Sequence, residues 1–186
     1  MCEAEQWEDA LIELKRQSYA RVVRQNAAAW RAKIYIGMER YQEVLELEAE
    51  ARRDACDIEP YLAVAHARLG HAKKALRIAE EALRVKRSGA EMALGHVYFA
   101  RQEYEPALRW YEAAAQNRIQ RAAAMRAVGR ALISLGDYRE ACVAYEQAIR
   151  LTPFVRPEDL LQLAECFRQT HQERAAEMEQ LAHEKA

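Results

Sequence analysis

Glycine and proline are scarce in this chain, six and four among 186 residues. A fold made of strands and tight hairpins would need many more of them at its turns. Stretches that alternate β-branched and polar residues are equally few, so a sheet has little support. No apolar run approaches the ~20 residues that a membrane-crossing helix requires, and no membrane is expected among its partners. The opening stretch, MCEAEQWEDA, has no basic region followed by an apolar one, so a secretory signal is not expected. An excess of one charge is missing too: 28 Lys and Arg stand against 29 Asp and Glu, a net charge of −1. Nucleic-acid binders draw most of their affinity from phosphate neutralisation by basic residues, so a nucleic acid is a disfavoured ligand. Cys2, Cys56, Cys142 and Cys166 lie too far apart for any CxxC pair. They read as reduced thiols of a cytoplasmic protein.

The constellations of catalysis are lacking as well. The five histidines, His66, His71, His96, His171 and His183, form no HExxH and no i, i+4 pair on a helix. There is no glycine-rich phosphate loop and no nucleophile elbow. Neighbouring carboxylates such as Glu80 and Glu81 point to different sides of a helix and read as surface. No catalytic residue, metal ligand or cofactor is assigned, and the chain is not expected to be an enzyme.

What the chain does have is an abundance of Ala, Leu, Glu and Arg, all good helix formers. It also has a period. In residues 127–153, AVGRALISLGDYREACVAYEQAIRLTP, six positions recur at an offset of 34. Gly129 matches Gly95, Leu132 matches Tyr98 and Tyr138 matches Tyr104. Ala141 matches Ala107, Tyr145 matches Tyr111 and Ala148 matches Ala114. Each position has a physical reason within a pair of helices. Small residues at 129 and 95 let a neighbouring helix approach, and Leu132 and Tyr98 fill the space beside them. Gly136 suits the left-handed residue that ends a helix, and Asp137 suits an N-cap of the next. Ala141, Tyr145 and Ala148 recur at intervals of four and three, on one helical face. Pro153 stops the second helix.

This pattern resembles the tetratricopeptide repeat. That family's unit has a small residue at position 8, large ones at 11 and 17, Ala at 20, an aromatic at 24, Ala at 27 and Pro near 32. With Ala122 as the first position, Gly129, Leu132, Tyr138, Ala141, Tyr145, Ala148 and Pro153 occupy those places. The unit from Ser88 matches except for Ile119 at the proline position. Looser units begin near Cys56, with His66 where a packing aromatic is usual, and near Gln25. The resemblance implies an all-α fold, an α-α superhelix of about eleven helices in a single array over residues 1–186. Residues 1–24 form a half-unit, 25–55, 56–87, 88–121 and 122–155 full repeats, and 156–186 a degraded repeat with a capping helix.

At 100° per residue, positions 4, 7, 8 and 11 of a first helix form one face, and positions 5, 9, 12 and 13 another. In the family the second face lines a concave groove that holds partner peptides or helices. Here it carries Lys33, Arg68, Met92, His96, Phe99, Arg126, Arg130, Ser134, Glu165 and Arg168, with Trp30 beside it. The stripe is modestly basic around an apolar centre, Met92 and Phe99, which suits a peptide or helix with acidic residues beside apolar anchors. The two-carboxylate clamp that some family members use for chaperone tails needs Asn at position 9, where Lys33, Val64, His96 and Arg130 stand. That ligand is not expected.

The half-unit raises a second surface. Trp7, Leu11 and Leu14 form a terminal face that a partner or a second copy of the chain, in a homodimer, would cover. The expected work is therefore non-catalytic: a protein–protein interaction module or scaffold. An assembly or secretion chaperone, or a regulatory fragment of a longer protein, is the alternative. An RNA-binding helical repeat fits less well.

Overall fold

The computed structural model describes residues 9, 12–13, 21–152, 155–170 and 172–185. Among them all regular structure is helical. The helices are α1 (Arg21–Gly37), α2 (Tyr41–Glu46), α3 (Glu48–Arg53), α4 (Glu59–Arg68), α5 (Ala72–Arg84) and α6 (Ala90–Ala100). They continue as α7 (Tyr104–Ala115), α8 (Arg121–Leu135), α9 (Tyr138–Arg150), α10 (Pro157–Thr170) and α11 (Gln172–Lys185). α2 and α3 are halves of one helix interrupted by a turn at Leu47, which leaves ten helices among the described residues. α1 is already helical at Arg21, ahead of the expected repeat start at Gln25, and nothing in Arg21–Arg24 breaks a helix. Pro60, Pro106 and Pro157 all fall in a first helical turn, where the missing N–H is no loss. Pro153 lies outside the described residues.

The chain divides into two compact units, one ending at Arg101 and the other beginning at Gln102. In the first, α1 packs on α2 and α4, and α4 packs on α5 and α6. Its core holds Ala28, Ala32, Val44, Leu47, Ala51, Cys56, Ile58, Leu62 and Ala65, flanked by Tyr35, Tyr41 and Ile78. In the second, each helix from α7 to α11 packs on the next. Its buried positions are those of the period: Ala107, Tyr111 and Ala114 on α7, and Ala141, Tyr145 and Ala148 on α9. Alanine dominates these seams, and a methyl in place of a larger group brings the backbones of neighbouring helices together.

One contact explains the small residue at position 8. A Cβ built on Gly129 would stand 2.6 Å from Cε2 and 2.7 Å from Cδ2 of Tyr145. The ring of α9 thus lies against the bare backbone of α8. Tyr145 is 1% exposed, so the ring has no space into which to retreat.

The helix ends share a second device. At the end of α8 Gly136 takes φ +86°, the Asp137 N–H donates to the Leu132 carbonyl (2.9 Å) and the Gly136 N–H to that of Ile133 (3.0 Å). This is the Schellman arrangement, which satisfies carbonyls left over at a helix end. Asp137 holds the N-cap position of α9, but its side chain makes no capping hydrogen bond, contrary to expectation. The same bond pattern closes α1, α4 and α5, with the left-handed residue being Glu39, Gly70 and Lys86, and α3 ends with left-handed Ala55 and the longer of the two bonds, Cys56 N–H to the Ala51 carbonyl. Only one of those four is glycine, and a side chain held there costs about 1 kcal/mol.

These contacts set two opposite expectations for stability in urea. Gly129→Ala should cost about 1–3 kcal/mol by forcing the buried ring of Tyr145 aside. Lys86→Gly should add about 0.5 kcal/mol, the relief of left-handed strain less the entropy that glycine gains in the unfolded chain. A loss of stability in the second variant would mean that the Lys86 side chain supplies more than its backbone strain removes.

Candidate functional site

The residues expected to line a groove fall in both compact units, and each unit is described by itself. In the first, Trp30 and Lys33 sit one turn apart on α1. Trp30 is 54% exposed, and Lys33 Nζ lies 5.5 Å from the centre of its ring, a cation–π pair. The neighbouring Arg31 turns the other way and pairs with Glu50 of α3, so α1 is fixed while Trp30 stays in solvent. Arg68 is exposed on the last turn of α4. Met92, His96 and Phe99 follow one another at i, i+4 and i+7 on α6, and all three are half-buried.

In the second unit the arrangement departs from a simple basic stripe. Arg126 of α8 is half-buried, and its Nε donates to Asp159 Oδ2 at 2.6 Å. One of its terminal nitrogens lies 3.3 Å from Thr152 Oγ1. Asp159, only 2% exposed in the first turn of α10, also accepts from Arg156 Nη2 at 2.7 Å and from Arg156 Nε at 3.2 Å. Arg126 is therefore a tie between α8 and α10 as much as a surface cation. Arg168 of α10 is exposed but bound at both sides, by Glu165 of its own helix and by Glu179 of α11 at 2.7 Å. Ser134 donates to the Arg130 carbonyl of its own helix at 3.1 Å. Arg130 is half-buried on the turn before it. Trp7, Leu11 and Leu14, the expected terminal face, lie outside the described residues.

Asp159 is the residue that the sequence reading missed. Its partner Arg126 stands 33 positions earlier, about one repeat away. Nothing local distinguishes this carboxylate from the exposed ones around it.

The chemistry of the remaining groups is quiet. Cys56, Cys142 and Cys166 are buried free thiols, while Cys2 lies outside the described residues. Burial, with the neighbouring Cys142, pushes the Cys166 thiol up to about 12, and burial raises Cys142 and Cys56 as well. Thiols held neutral in this way are poor nucleophiles. Burial likewise pushes the Tyr145 phenol far up. Among the described residues no group of three or more His, Cys, Asp or Glu converges as a metal site. No helix among them is long and apolar enough to cross a membrane.

Residues 122–154 match the family model described as the tetratricopeptide repeat. The chain is similar in fold to MamA from MSR-1, with 22% identity over 87% of this chain and 96% of that one, at a TM-score of 0.60. It is similar also to BtubC (BKLC) from P. vanneervenii, with 17% identity over 97% of this chain and 88% of that one, at a TM-score of 0.64. A MamA structure from AMB-1 agrees at 22% identity over 87% of this chain and 91% of that one, with a TM-score of 0.58. No curated protein matches the sequence.

The Asp159 cluster separates buried from exposed ion pairs, and urea denaturation at pH 7 measures the difference. Asp159→Ala should cost about 3 kcal/mol, because it strands the largely buried Arg126. Arg168→Ala, which removes exposed pairs, should cost under about 1 kcal/mol. Equal losses would mean that Asp159 contributes no more than a surface carboxylate.

Proposed function

We propose that this tetratricopeptide-repeat protein is a non-catalytic scaffold that holds a segment of another protein, a peptide or a helix, on the exposed face of its first helices. The observation that carries this reading is the Trp30–Lys33 pair. A tryptophan 54% exposed leaves a large apolar area in water that the core does not use. With an ammonium beside its ring, the pair offers one apolar contact and one positive charge a helical turn apart. Aromatic residues of this kind dominate the energy of protein interfaces. A segment with an apolar anchor followed by a carboxylate complements it. Met92, His96 and Phe99 of α6 extend the reading in the same unit, being half-buried and spaced along one helical face.

In the second unit the expected face carries Arg126, Arg130, Ser134 and Arg168. The charges of Arg126 and Arg168 are already met by Asp159 and by Glu165 and Glu179. A partner's acidic residues would have to displace those carboxylates. The basic character that would attract an acidic segment is accordingly weaker than a count of arginines suggests, and apolar anchors supply most of the affinity. Balanced charge and the quiet thiols support work without chemistry.

Affinity capture from a native lysate, followed by mass spectrometry, tests the reading. Trp30→Ala combined with Lys33→Glu should reduce recovery of the bound protein at least tenfold and leave the melting temperature unchanged, since both side chains are exposed. Full retention by the double variant would remove this face from the working surface.

A further inference from the structure

The turn between α4 and α5 carries a feature that interaction with a protein partner does not use. The end of α4 is a Schellman turn: Gly70 has φ +82°, the His71 N–H donates to the His66 carbonyl at 2.8 Å, and the Gly70 N–H donates to the Ala67 carbonyl at 3.1 Å. This geometry brings together the side chains three residues before the cap and two after it, where an apolar pair usually sits. Here both are histidines. Their Nδ1 atoms stand 3.2 Å apart, with ring centres 5.4 Å apart and planes tilted by 51°.

That spacing is a chelating one. Imidazole nitrogens bind zinc at about 2.0–2.1 Å, so two of them at a tetrahedral angle lie about 3.3–3.4 Å apart, and at a right angle about 2.9 Å. The observed distance falls between these values. We propose that His66 and His71 form a two-histidine site for a divalent transition-metal ion of the zinc and copper class, bound through both Nδ1 atoms, with water in the remaining positions. Imidazole is a favoured ligand for these metals, and a carboxylate-rich site would have suited calcium or magnesium instead. The pair opens to a surface cleft lined by Gly70, Ala72, Lys73 and Lys74, in which the two small residues leave an approach.

Several features bear on the affinity. Without metal the two nitrogens share a proton as an N–H···N hydrogen bond, so one ring carries its proton on Nδ1. Metal binding moves that proton to Nε2, and no net charge change is needed. Burial holds His66 below the ordinary histidine range, and Lys74 and His71 push in the same direction, all favouring the neutral form that a metal requires. Glu48 opposes that shift, and its negative charge favours a bound cation, whereas Lys74 disfavours one. His71 is exposed and His66 buried, so one ligand is rigid and the other reachable.

Titration calorimetry of the full chain with Zn²⁺ and with Cu²⁺ at pH 7.5 tests the site. At least one of the two should bind with one equivalent at micromolar affinity, at least tenfold weaker in His71→Gln and unchanged in His183→Gln. On the unaltered chain, NMR should show the ring signals of both His66 and His71 shifting together as that metal is added. Binding that survives His71→Gln, as it would at a thiol, or ring signals that do not move, would overturn the proposal. So would the lack of stoichiometric binding by either ion.

Discussion

The fit of the Tyr145 ring on the backbone of Gly129 is the constraint on which the second unit depends. A glycine in the middle of a helix costs about 1 kcal/mol against alanine, and a buried tyrosine must lose the hydration of its hydroxyl. Both costs are accepted at one place because together they bring α8 and α9 to the separation that the alanines around them need. Ala141 and Ala148, on the same face of α9 as Tyr145, are inaccessible, and each would be void-lined if the two helices stood a methyl group further apart. The seam is therefore set by its one bare backbone position and filled by small residues, not by large interlocking side chains. The Tyr145 hydroxyl has no hydrogen-bond partner among the described residues, which marks the ring as present for its shape.

This is also why the fold was legible in the sequence. Position 8, position 20, position 24 and position 27 constrain residue type through contact with the neighbouring helix, as the approach of Tyr145 to Gly129 shows. Ala107, Tyr111 and Ala114 recur as Ala141, Tyr145 and Ala148, and all six are buried. What was not legible depends on partners without a repeat of their own. Arg126 reads as a surface cation from its helical position, and only the placement of Asp159 makes it an internal tie. Arg168 loses its claim to be an open contact through Glu179, eleven residues on and in another helix. Three of the left-handed helix ends fall on Glu39, Ala55 and Lys86, none of which announces a turn as glycine does.

For the proposed binding the consequence is a change of emphasis rather than of kind. A groove counted from sequence looked basic because arginines recur at its expected positions. Once the carboxylates of Asp159, Glu165 and Glu179 are in place, the second unit's contribution shrinks, and the exposed Trp30 becomes the more distinctive element. An apolar ring beside an ammonium recognises a segment by shape and by one charge, which salt weakens less than a purely ionic contact. The near-neutral chain is consistent with recognition of that kind.

The helix ends connect these observations. A Schellman turn fixes the two side chains that flank it by backbone hydrogen bonds alone, so the pair is positioned whatever its chemistry. At the end of α1 the pair is Tyr35 and Arg40, with the guanidinium 5.1 Å from the ring centre. After α3 it is Ala51 and Cys56, both buried in the first unit's core. After α8 it is Leu132 and Asp137, one buried and one in solvent. After α4 it is His66 and His71. One backbone device thus delivers a cation–π contact, an apolar contact, a divided pair and two convergent imidazoles. Because the turn holds the geometry independently of the residues it presents, a change of two side chains can give such a joint new chemistry without disturbing the helices on either side. In a repeat fold whose seams tolerate little variation, the turns are where that freedom remains.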